Sequence, residues 1–420
     1  MASTVTPSTL DGLFYEIYSD KIQNLVPNVA KFIKMVPFSP AEKELGKTYN
    51  QPLVMTNESG FTYALAGSGA FSLNSSVAFT MKNASVQGAQ IVLRSTVAYD
   101  AASKASNSVK AFENEFDLQI RNMVESSRKR SEISYFYGST GLGKTSVYAG
   151  VSATQATVTL SNYATGIWAG TQDAVINFYT SVGALVSSGA DSQFVIAATN
   201  PTLSTITVNG TSTGITALAA AAGAGVLDIY FLGSKGNEMF GIDYLLTTTG
   251  TIFGIDNSIY SLWKGNTYSC SNGDLTMGKV LAGLAAPIGL GLEEDVVLFC
   301  NPVTWARLNT DLAALRRYDG SYKKDMGTNG VSGINYTSQA GDIKIISHSI
   351  IKPNEAFCFP LKRVKRIGST DLTFKSFVNN QQMFRELSDN AGFELRNYSD
   401  QAVLIETPAR CVKYTNIVNS

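Results

Sequence analysis

Between Asn107 and Glu132 apolar residues recur at steps of three and four, and Val109, Phe112, Phe116, Ile120 and Met123 fall on one stripe. That period predicts an amphipathic helix. Asp117 with Arg121 and Glu125 with Lys129 place opposite charges four residues apart on its wet side. At about 1.5 Å per residue the rod extends roughly 40 Å and organises whatever domain it crosses.

The segments ahead of this rod follow other patterns. Residues 1–46 hold short apolar clusters, "LFYEIY" and "VAKFIKMV", among Pro7, Pro27, Pro37 and Pro40. Proline removes a backbone donor and prevents one long helix, so the segment reads as an arm lying on something else. From Lys47 to Tyr99 come two β-rich runs, "KTYNQPLVMTN" and "SVAFTMKNASVQGAQIVLRSTVAY", around a Gly/Ser-rich tip carrying Phe61, Tyr63 and Phe71. A two-stranded ribbon alone is marginal in water, so an aromatic-tipped hairpin predicts a docking partner.

Beyond the rod, residues 151–236 alternate short β-prone runs with Gly, Asn and Pro and predict a β-rich subdomain. From Leu275 the texture becomes helix, strand, helix, with Asn301 as N-cap and Pro302 at the first helical position of "PVTWARLNTDLAALRRY". Strands with a turn at Lys352-Pro353-Asn354-Glu355 follow, and the chain closes on "QAVLIETPARCVKYTNIV". The fold class is α+β.

Composition narrows the partners. In 420 residues, 33 Lys and Arg balance 33 Asp and Glu, so no strong field draws the chain to nucleic acid, membrane or a polyanion. Cys270, Cys300, Cys358 and Cys411 lack the close spacing of a zinc or redox motif, and no secretory signal is recognised, which predicts reduced thiols in a cytosolic product. The tract from Ile215 to Leu232 is Ala- and Gly-rich and interrupted by Asp228, a poor membrane span.

Two motifs raise enzymatic alternatives. Gly138 to Thr145, "GSTGLGKT", matches the phosphate-cradling P-loop, with Lys144 as the phosphate-binding lysine. A working P-loop follows a strand and opens a helix, whereas here a long helix precedes it and β-branched residues follow. Gly210 to Gly214, "GTSTG", matches the nucleophile elbow of a serine hydrolase, in which Ser212 would need His348, the one histidine. His348 sits in the strand-like "KIISHSII", where a surface or hydrogen-bonded strand role is expected. Glu293-Glu294-Asp295 reads as a solvated turn rather than a metal site, and no cofactor is expected. Lys362, Arg363, Lys365 and Arg366 form a basic cluster without interleaved aromatics; Arg363 and Arg366 are therefore read as a subunit contact or weak nucleic-acid backbone contact.

The order of arm, hairpin from Lys47 to Tyr99, long helix "KAFENEFDLQIRNMVESSRKRSE", insertion and α/β section resembles the major capsid proteins of tailed bacteriophages. The segments "LTTTGTIFGIDNSIYSLWKGN" and "GINYTSQAGDIKIISHSIIKPNEAFCFPLKRVKRIG" are similar to the short-tailed phage subgroup. The resemblance implies an arm (1–46), an extended hairpin (47–99), a spine helix and peripheral domain (100–150), an inserted β-rich subdomain (151–236), an axial domain with its lead-in (237–370) and a return to the peripheral domain (371–420). It also implies a non-enzymatic subunit whose pentameric and hexameric capsomers build an icosahedral shell around double-stranded DNA, assembled in the host cytoplasm. Phe61, Tyr63 and Phe71 would then meet other copies of the chain, with scaffolding, portal or cement proteins as further partners. A bacterial nanocompartment shell of the same fold is the remaining alternative.

Overall fold

The computed structural model describes residues 30–38, 48–100, 115–310, 334–374, 384–387 and 390–419. Val109 and Phe112 of the helical stripe, and most of the arm, lie outside these.

Strands β1 (Tyr49–Thr56) and β2 (Thr80–Val86) pair antiparallel as a ribbon. β3 (Ala89–Ala98) then leaves it to pair with a late strand. The break falls at Gly88, where a Cβ would stand 1.9 Å from Asp400 Oδ1, so a larger residue would push the Asp400 side chain aside. The apolar run read as one strand is therefore two strands in two sheets.

The long helix spans Glu115–Tyr137, and Met123 of its predicted stripe is buried. It continues past the expected end at Glu132 because Glu132 to Tyr137 are buried on every side, which leaves no single stripe to read. Against this end packs a short helix, Phe32–Met35. Phe32 is fully buried, its ring centroid 5.3 Å from that of Tyr135 and 5.4 Å from that of Phe136. This part of the expected arm thus lies in the chain's own core.

Strands β4 (Gly143–Ser152), β5 (Gln155–Leu160), β6 (Val175–Thr180), β7 (Phe194–Asn200), β8 (Thr205–Asn209) and β9 (Leu227–Phe231) close into an antiparallel barrel in the order β4-β5-β8-β7-β6-β9. Val158, Ile176, Phe178, Phe194, Ile206, Val208 and Ile229 are buried in its core. Helix Ser212–Ala224, between β8 and β9, adds Ile215 and Leu218. Closure leaves no unpaired edge. The barrel begins at Gly143, inside the P-loop-like stretch, rather than at Val151.

A two-residue hairpin, β10 (Thr251–Ile252) with β11 (Ile255–Asp256), leads to β12 (Asn266–Gly273). β13 (Val296–Cys300), β14 (Ile334–Thr337), β15 (Asp342–Ser347) and β16 (Ala356–Phe359) follow. β17 (Val364–Thr373), β18 (Phe384–Glu386) and β19 (Gly392–Ile405) join β3 in a four-stranded sheet, with β19 pairing to the other three. A turn at Pro408–Arg410 then carries β20 (Val412–Ile417) back, so the closing run divides between two sheets. The six-stranded sheet runs β12-β20-β16-β13-β15-β14, with β12/β20 and β13/β15 parallel.

Every residue of β13, "VVLFC", is buried, as a continuous apolar run in a strand covered on both faces should be. Helix Met277–Gly289 contributes Val280 and Leu284 to one core with Leu298, Ile343, Ile345 and Val412, and helix Pro302–Thr310 contributes Leu308. Asn301 caps the second helix as predicted: its Oδ1 accepts the Val303 N–H at 3.0 Å.

Candidate assembly surfaces

The ribbon rests one face on its own chain. Met55, Ala84 and Val86 pack with Ile255, Trp263, Ile367 and Leu404, so its base has a core. The tip has none. Its two limbs are held by the Ser59 N–H to the Val77 carbonyl at 3.2 Å and by Asn74, whose amide donates to the Phe61 carbonyl at 2.8 Å. Beyond those bonds Phe61, Tyr63 and Phe71 remain 67%, 89% and 52% exposed, with Leu65 and Leu73 beside them at 86% and 79%. Sequence reading singled out the aromatics and passed over the two leucines, which share the same Gly/Ser-rich tract. Clustered apolar side chains on one projecting tip mark a surface built to be covered.

The basic cluster does not present itself as a unit. Arg363 donates through Nε and an Nη to Glu294 Oε1 at 2.8 and 2.6 Å, and Lys365 pairs with Glu406 at 2.7 Å. Arg410 also reaches Glu294, at 3.2 Å. The hydrogen bonds from Arg363, ahead of any burial effect, hold the Glu294 carboxyl below its usual range. The acidic turn is thus an ion-paired joint rather than a merely solvated one.

Arg366, expected at a subunit contact, is buried instead. Its guanidinium donates to the Tyr135 hydroxyl at 3.0 Å, the Val36 carbonyl at 3.2 Å, Asp371 at 2.9 Å and Gln401 at 2.8 Å. A buried cation must have such partners, and here the same chain supplies them.

Neither enzymatic motif assembles. The P-loop-like stretch caps a helix and opens a strand: the Gly138 N–H donates to the Ser134 carbonyl at 2.8 Å, and Lys144 lies within β4 with its N–H on Asn162 Oδ1 at 2.8 Å. A strand, not a helix, follows the loop. In the elbow-like stretch Thr211 is the helix cap, accepting the Gly214 N–H at 3.0 Å, and Ser212 is exposed on the first turn. His348, predicted on a strand, lies just beyond β15 and is buried. Its Nε2 is 2.8 Å from Glu132 Oε1. The four cysteines are buried and free; burial raises the thiols of Cys300, Cys358 and Cys411 far above a reactive range. Among the described residues no three His, Cys, Asp or Glu side chains converge to hold a metal, and no helix is long and apolar enough to cross a membrane.

No family model matches the sequence, and no curated protein matches it. Solved structures do match. A chain of the cyanophage A-1(L) capsid aligns with TM-score 0.57 and 11% identity, over 98% of this chain and 99% of that one. A chain of the capsid of a native GTA particle aligns with TM-score 0.52 and 7% identity, over 99% and 100%. The chain has the tailed-phage major capsid fold. Both alignments span nearly the whole length of each chain. The likeness does not single out the short-tailed subgroup.

Proposed function

We propose that this chain is a major capsid, or head, protein whose copies assemble through pentameric and hexameric capsomers into an icosahedral shell enclosing phage double-stranded DNA. The observation that carries the reading is the exposed tip: Phe61, Tyr63, Leu65, Phe71 and Leu73 stand uncovered on a ribbon whose base is anchored in its own chain. An anchored base with an uncovered end suits a contact between copies. Each standard interface buries about 800 Å² per partner, and many modest contacts make a closed shell stable.

In this reading the ribbon reaches a neighbour, the long helix with the four-stranded sheet forms the peripheral domain, and the six-stranded sheet forms the axial domain. The barrel is an inserted subdomain that stabilises the capsomer. The role is structural, in the virion capsid, with assembly in the host cytoplasm. Balanced charge suits close packing of many copies and leaves only weak, non-specific contact with packaged DNA. Scaffolding, portal and cement proteins are the further partners such a shell uses.

The test is sedimentation of the wild-type chain beside a variant carrying Phe61→Ser, Tyr63→Ser and Phe71→Ser. The wild type should sediment as capsomers or larger and the variant as a folded monomer. Equal assembly of the two would overturn the role given to the tip.

A further inference from the structure

Glu132, fully buried near the end of the long helix, is a collecting point for donors from two other parts of the chain. One carboxylate oxygen accepts the backbone N–H of Phe32, and the other accepts that of Ile33 at 3.1 Å. His348 approaches with Nε2 at 2.8 Å, while its Nδ1 accepts the Ile350 N–H at 3.2 Å. The second bond places the ring proton on Nε2, so Glu132 receives three donors. Additional bonds hold both ends of the segment from Ala30 to Phe38. Lys31 Nζ donates to the Ser347 carbonyl at 2.6 Å, and Arg366 donates to the Val36 carbonyl at 3.2 Å. Between them the Phe32 ring sits among Tyr135 and Phe136 of the long helix, Phe299 of β13 and Phe359 of β16, with centroids 5.3 to 6.4 Å away.

We propose that residues 30–38 are a releasable strap across the long helix and the six-stranded sheet, with Glu132 as its catch, and that the strap comes away while Phe136 and Tyr137 keep the helix packed on Phe299 and Phe357. The strap bridges both units through one inserted ring and one carboxylate. Losing either leaves buried N–H groups without an acceptor or a void in the aromatic cluster, and the strap comes away as a unit. The strap is a property of the single chain and is tested apart from shell formation.

The experiment is hydrogen exchange by mass spectrometry on the full chain, comparing wild type with Glu132→Gln, which keeps the size but turns an amide donor toward the three donors. Amides of residues 30–38 should exchange at least about tenfold faster, while the barrel and the β3/β19 pairing keep their protection. Unchanged protection of the strap overturns the catch. Uniform loss across the chain overturns the idea of a separable strap. If Glu132→Gln does not fold, Phe32→Ala is measured instead and must show the same selective loss. Spin labels at cysteines replacing the exposed Arg128 and Val303, with labelled chains diluted among unlabelled ones, read the packing. The same narrow distance in wild type and variant supports a strap that leaves with the helix and sheet still packed; a broadened distribution in the variant refutes it.

Discussion

The ammonium of Lys352 lies 4.0 Å from the centroid of the Tyr137 ring, and the Lys352 backbone N–H donates to that tyrosine's hydroxyl at 3.0 Å. Lys352 Nζ also donates to the Gly141 carbonyl at 2.7 Å. Three units meet here: the end of the long helix, the start of the barrel, and the turn after β15. Beside them Lys413 of β20 rests between Asp243 and Glu355, so two buried lysines face two carboxylates.

Burial lowers the Lys352 amine below its ordinary 10.5, outweighing the pull of Glu355 and Asp243 in the other direction. A base depressed by folding costs stability while it is charged. The cost is full below the depressed value and shrinks as pH climbs from there to 10.5. Lys352→Met removes this cost and also loses the bond to Gly141, so its offset at one pH combines two effects. Its trend has one sign: urea unfolding should show the variant losing ground to wild type as the pH is raised from about 7 to about 10. A gain over that range would contradict the burial argument.

Glu294 works in the opposite direction. Its carboxyl is depressed chiefly by the hydrogen bonds from Arg363, so its stabilisation is present above its ordinary 4.5 and is lost as pH falls through the lower native value. Because Arg363 is partly exposed, Glu294→Gln should cost about 1 kcal/mol or less at neutral pH. The gap should close in acid. A pH-independent difference in unfolding midpoint would mean that the carboxylate's charge is not what matters.

Gly166 lets a short helix of the barrel region, Thr165–Trp168, dock on the loop after β15. A Cβ there would lie 2.6 Å from the Ser349 carbonyl carbon and 2.8 Å from the Ile350 nitrogen, both backbone atoms. Gly166→Ala should therefore destabilise the chain by about 1–3 kcal/mol through overpacking. Thermal unfolding checks this, with Gly223→Ala as the control, since a Cβ at Gly223 meets nothing within 4 Å. Equal midpoints for the two variants would contradict the contact.

The enzymatic motifs make a sharp negative prediction. Lys144 is in a strand, and both ring nitrogens of His348 are taken, by Glu132 and by the Ile350 N–H. A fluorophosphonate probe should leave Ser212 unlabelled, and Lys144→Ala should have no ATP binding to abolish. Labelling or saturable binding lost in the corresponding variant would reverse this.

Local features were the ones legible in the sequence. The 3.6-residue repeat ending at Met123 marked the long helix, and Asn301-Pro302 marked a helix start. The Gly/Ser tract around Phe61 and Tyr63 marked the uncovered tip. What stayed hidden depended on residues distant in sequence. The apolar alternation runs straight across Gln87-Gly88, so nothing local says that β2 and β3 belong to different sheets; the partner of β3, β19, lies near the other end of the chain. Arg366 looked like surface charge because its acceptors, Val36, Tyr135 and Gln401, come from three separate parts of the chain. Phe32 looked like an arm residue because its aromatic cluster is assembled from three other elements. Barrel closure depends on β4 meeting β9, a pairing no short window contains.

The central claim is that copies of this chain cover one another's exposed tips and close into a shell. Electron micrographs of the purified wild-type chain, taken over a series of concentrations, test it most directly. The account predicts polyhedra, tubes or curved sheets built from rings of subunits. A field of monodisperse single chains at every concentration would contradict it.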